Sequence, residues 1–179
     1  MSYKEFQTDD EVTKFIETYY GNFANTHFTK SEIANVLSVQ SSAKTDYEYL
    51  HSNSTWLPRV FNDVLNCFNN IPAVPFDIVA FRSGDMLLRS GANKRTFYSA
   101  SLLKTVVDEK YATKEKPTTL LYIKKGTKII PLQALDKQYG GGDAEIILLV
   151  ENVTKRDLLF NKYIYHNWFF IIVLFFEQF

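Results

Sequence analysis

Five polar side chains stand at the edges of apolar, strand-like segments. Arg82 closes the run Phe76-Asp77-Ile78-Val79-Ala80-Phe81-Arg82. Ser99 and Ser101 sit in Phe97-Tyr98-Ser99-Ala100-Ser101, and Asp143 and Glu145 open a run that continues through Ile146-Ile147-Leu148-Leu149. Each would be costly to bury alone. An arginine, two hydroxyls and a carboxylate make a site if their strands are neighbours. Taken singly, each residue also has a plainer role. A strand-end arginine is usually solvated or paired at the surface, serines in a short strand are mostly structural, and acids at a strand start keep a sheet edge from pairing with another chain.

Other chemistries find little support. Gly140-Gly141-Gly142 precedes a strand-like run, with no Gly-Lys-Ser/Thr after it, so it is neither a phosphate-binding P-loop nor a dinucleotide fingerprint. No Gly-x-Ser-x-Gly elbow is present. Cys67 is the only cysteine, which excludes a disulfide framework and argues against a zinc site built on thiolates. It falls on the inward side of a helical pattern, where cysteines are mostly inert. The histidines at 27, 51 and 166 lack metal-ligand spacing, so no metal is expected.

The elements that must position these groups divide by period. With 179 residues and 46% of them hydrophobic, the chain can bury a real core as one domain, with a helical part over 1–71 and a β core over 72–179. Thr8 or Asp9 caps a helix carrying Val12, Phe15, Ile16 and Tyr19 on one face. Thr29-Lys30-Ser31-Glu32 is a capping box, followed by Ile33, Val36 and Leu37. Residues 38–55, polar and Ser-rich, are expected as loop. A helix then starts near Trp56, with Pro58 in its first turn. It turns Leu57, Val60, Phe61, Val64 and Phe68 inward and stops at Asn69-Asn70-Ile71-Pro72.

After Pro75 the pattern becomes β. Strands are expected over 76–82, 97–101, 118–123, 128–132 and 144–150. One or two helical turns fall at 102–110, a turn at Lys124-Lys125-Gly126-Thr127 and a loop at 135–142. Pro131 places its strand near a sheet edge. Nine consecutive apolar residues, Trp168 to Phe176, are too few to cross a bilayer as a helix, which takes about 20. They are expected as a buried last strand. Helices first and strands second is an α+β pattern, with the helices to one side of a mostly antiparallel sheet.

Lys plus Arg equals Asp plus Glu, 20 against 20, which argues against a protein whose main business is binding nucleic acid through phosphates. Lys124, Lys125 and Lys128 read as a solvated turn. The first residues carry no apolar signal core, so the expected compartment is the cytoplasm, of the source cell or of a host it enters.

In this order Arg82, then Phe97-Tyr98-Ser99-Ala100-Ser101, then Asp143-Ala144-Glu145 resembles the mono-ADP-ribosyltransferases of the bacterial toxin and exoenzyme group. Those enzymes carry a strand-end arginine, an aromatic-x-Ser-Thr-Ser strand and a Glu-x-Glu or Gln-x-Glu pair opening a late strand. The stretch Leu121 to Lys128 looks like that group's strand and Gly-Thr turn. Two positions depart from the pattern: Ala100 stands where threonine is usual, and Asp143 is one methylene shorter than the usual upstream residue.

The resemblance implies NAD as substrate, a protein acceptor and no metal. It implies catalytic roles for Glu145, Asp143 and Ser99, and NAD binding through Arg82, Gly84, Ser99, Ser101 and Glu145. Losing nicotinamide leaves positive charge on the ribose ring, which Glu145 would stabilise through the adjacent hydroxyl. Ser99 or Ser101 would hold Glu145 in place, Ser99 by the family's pattern. Arg82 would hold the pyrophosphate, and Gly84 would let the backbone approach the nicotinamide amide. The loop 135–142 would meet the acceptor, with Asp143 positioning it. The alternatives are an NAD glycohydrolase, using water as acceptor, and a non-catalytic relative that binds a partner through its helical part or apolar tail.

Overall fold

The computed structural model describes residues 3–21, 23–41, 57–83, 96–136, 143–150 and 173–176. Helix α1, Asp9–Tyr19, is capped by Thr8, whose hydroxyl accepts from the Glu11 amide at 3.3 Å. Asp9, Asp10 and Glu11 in its first turn complement the helix dipole. A short helix α2, Phe23–His27, follows. Five residues leave no periodic trace, and none was expected there.

Helix α3, Lys30–Ser41, starts at the capping box. The Glu32 amide donates to Thr29 Oγ1 at 3.2 Å and Glu32 Oε2 accepts from the Thr29 amide at 2.8 Å. It runs to Ser41, further than the serine content predicts, and Ser38 satisfies its hydroxyl on the Asn35 carbonyl at 2.8 Å within the helix. Helix α4, Leu57–Asn70, buries Val60, Val64, Cys67 and Phe68. It packs on α3.

The sheet has β1 (Ile78–Ser83), β2 (Thr96–Ser101), β3 (Thr118–Ile123), β4 (Ile130–Pro131), β5 (Glu145–Val150) and β6 (Val173–Phe176) in the order β4-β5-β2-β1-β3-β6. Every pairing is antiparallel except the parallel one of β3 with β6. Pro131 does lie at an edge, where its missing N–H is harmless. Of the late apolar run, Val173–Phe176 forms the strand at the opposite edge, and residues 168–172 lie outside the described residues. At the turn before Lys128 the Thr127 amide donates to the Lys124 carbonyl at 3.1 Å, and Gly126 sits at φ +92°. That φ is the glycine position of a type II turn.

Two differences from the sequence pattern concern β4 and the helices. The strand expected over 128–132 shortens to Ile130–Pro131, and Leu132–Leu135 forms a one-turn helix α6. The apolar Leu132, Ala134 and Leu135 are buried by turning toward α1 and α2 instead of alternating across a sheet. The helices are also not all on one side. Ile78 and Ala80 join the main core with α1, α3 and α4, while Val79 and Phe81 pack with Val107 of helix α5, Lys104–Lys110. Successive strand residues point to opposite faces, so α5 reaches the face the N-terminal helices leave open.

Candidate active site

Strands β1, β2 and β5 are consecutive in the sheet, so Arg82, Ser99 and Glu145 come together across 17 and 46 residues of sequence. In the β2–β5 register Ser101 faces Glu145 and Ser99 faces Ile147. Ser99 and Glu145 are thus diagonal neighbours, within side-chain reach. Ser99 Oγ donates to Glu145 Oε1, and Arg82 Nη1 donates to the Ser99 carbonyl. One residue of β2 therefore touches both charged groups, orienting the carboxylate with its side chain and the guanidinium with its backbone.

Ser101 has a different task. Its hydroxyl donates to the Asp143 carbonyl at 2.7 Å and accepts from the Leu103 amide at 3.0 Å. It is buried, and it ties the entry of β5 to the end of β2. Between the two acids Ala144 has φ +46°, a left-handed conformation that ordinary residues avoid by about 1–2 kcal/mol. Its carbonyl accepts from the Leu102 amide at 2.9 Å. The core and these two bonds hold the strained residue in place.

Arg82, Ser99, Ser101, Asp143 and Glu145 all line one cavity of about 250 Å³, with Phe81, Val107 and Tyr111 as its apolar and aromatic walls. Tyr111, 52% exposed, and Lys110 are site residues the sequence reading did not find. Lys110 Nζ forms an ion pair with Asp143 Oδ1, and Tyr111 Oη lies 3.4 Å from Asp143 Oδ2. The hydrogen bond to Asp143 and its charge raise the Lys110 ammonium above its usual range. Desolvation, then the charges of Asp143 and Glu145, raise the Tyr111 phenol, which stays a donor at neutral pH. Gly84 and the loop 137–142 lie outside the described residues.

Away from the cavity, burial raises the Cys67 thiol to about 12, so it is no nucleophile. Among the described residues no group of three or more His, Cys, Asp or Glu could hold a metal ion. Nor is any helix among them long and apolar enough to cross a membrane.

No protein-family model matches the chain, and no curated protein matches it. Solved structures do. The Clostridium limosum C3 exoenzyme is 14% identical over 99% of this chain and 98% of its own, at a TM-score of 0.67. Plx2a, an ADP-ribosyltransferase toxin from Paenibacillus larvae, is 12% identical over 97% and 98%, at 0.69. C3stau2 from S. aureus, solved with NAD, is 13% identical over 99% and 100%, at 0.65. The chain has the fold of the bacterial ADP-ribosyltransferases over nearly its whole length.

Proposed function

We propose that this chain is an NAD-dependent mono-ADP-ribosyltransferase that moves ADP-ribose to a protein acceptor and releases nicotinamide. The observation that carries this reading is the Ser99–Glu145 hydrogen bond beside Arg82, in a cavity of an ADP-ribosyltransferase fold. The bond from ribose C1′ to nicotinamide N1 breaks, and its electron pair leaves with nicotinamide. Positive charge spreads over the ribose ring, and a carboxylate already fixed by a serine stabilises it without reorganising. Glu145 takes that role through the ribose hydroxyl next to C1′. Arg82 holds the pyrophosphate, and the acceptor attacks C1′ from the side of Asp143. Action inside a host cell fits this reading, as does action in the cytoplasm of the source cell.

The test adds labelled NAD to the purified protein with a host-cell lysate, wild type beside Glu145→Ala. Labelled protein is expected with wild type, and nicotinamide release is expected to fall about a hundredfold or more in the variant, the scale of losing one electrostatic stabiliser. Nicotinamide released without labelled protein would move the assignment to an NAD glycohydrolase. Folded wild-type protein that releases none would overturn the enzymatic reading.

A further inference from the structure

Asp143 and Glu145 are two residues apart, line the same cavity, and differ in their partners. Glu145 meets a neutral hydroxyl. Asp143 meets an ammonium, that of Lys110 from the last turn of α5, and faces the Tyr111 phenol. The pair counts charge within the pocket. Among the described residues Arg82 and Lys110 are cationic and Asp143 and Glu145 anionic. Without Lys110 the Asp143 carboxylate would keep only the Tyr111 hydroxyl beside it.

We infer that Lys110 is a specificity residue: by pairing with Asp143 it disfavours cationic acceptors, so the group that receives ADP-ribose is an uncharged hydroxyl or amide. This rests on the transferase reading above and concerns its acceptor. A guanidinium entering the pocket would compete with Lys110 for Asp143 and be repelled by the displaced ammonium. A neutral nucleophile meets no such opposition. Its O–H or N–H donates to Asp143 Oδ2, the oxygen that also faces the Tyr111 hydroxyl and is not paired with Lys110, and its lone pair stays free to attack. The new bond forms between the acceptor atom and ribose C1′ as the bond to nicotinamide N1 breaks. The acceptor's proton leaves through Asp143 Oδ2 to solvent. Lys110 is 49% exposed and Asp143 32% exposed. Exposed pairs are weak, so the discrimination should be up to about fivefold and not absolute.

The experiment incubates the whole chain with NAD and an excess of agmatine, a guanidino acceptor, and measures the partition between free ADP-ribose and ADP-ribosylagmatine. Wild type should send ADP-ribose mainly to water. Lys110→Gln, which removes the charge and leaves a polar side chain, should raise the agmatine share severalfold, up to about fivefold. Lys110→Arg, which keeps the charge, should behave like wild type. If wild type prefers agmatine as strongly as Lys110→Gln does, the inference is wrong. It is equally wrong if no variant forms the adduct, or if Arg and Gln act alike. Absence of nicotinamide release from every protein would instead overturn the transferase reading, and the inference with it.

Discussion

Ser99 and Ser101 are two residues apart on one strand, and the structure divides their work. Ser99 holds the Glu145 carboxylate, and Ser101 bridges the Asp143 carbonyl and the Leu103 amide from a buried position. Their alanine variants should therefore separate. Ser99→Ala should leave thermal stability nearly unchanged and slow nicotinamide release about ten- to a hundredfold, the size of one hydrogen bond to a charged group. Ser101→Ala leaves the buried Leu103 amide and the part-buried Asp143 carbonyl without this partner and should destabilise by about 1–3 kcal/mol in urea unfolding. If Ser101→Ala were fully stable, its bracing role would be excluded. The sequence pattern marked both serines but could not divide them, because the division depends on β2–β5 register. Lys110 and Tyr111 left no trace at all. An exposed Lys-Tyr pair at a helix end is ordinary, and only packing brings it to an aspartate 33 residues later.

Among the helices, what was local in the chain was legible. The Thr29–Glu32 box writes its own hydrogen bonds, and Glu32 also accepts from Asn66 on α4, linking α3 to α4. Thr118–Ile123 matches its expected bounds because it is a clean β-branched and apolar run between Pro117 and Lys124. Leu132–Leu135 was not legible, since a short apolar run after a proline reads equally as strand, and contact with α1 and α2 decides it. The α3 start also predicts acid behaviour. Hydrogen bonds from the Thr29 amide, then from Asn66, lower the folded-state pKa of Glu32. A depressed carboxyl contributes stability that is present above its unfolded pKa and lost as pH falls through the folded one. Stability in urea should thus decline below about pH 4.5, near the unfolded glutamate value, and Glu32→Gln should flatten that decline. A variant with an unchanged acid limb would show that these bonds do not matter to folding.

The helices and the site strands share one continuous core, in which Ile146 of β5 packs in the same cluster as Val12, Val36 and Val64. Site and helical part should then unfold together. Ile146→Ala should cost about 2–5 kcal/mol, and loss of near-UV and far-UV circular dichroism should coincide. Two separate transitions would show that the N-terminal helices are an independent unit. The same core confines Ala144, buried and left-handed between the two acids. A β-branched side chain there would meet a bad φ in a buried place, while glycine would relax the backbone. That position therefore disfavours β-branched residues. Lys110 and Tyr111 stand exposed on a helix end, where nearly any residue folds. Substitution at that helix end acts on Asp143, which Lys110 pairs and Tyr111 faces, and not on the Ser99–Glu145 hydrogen bond.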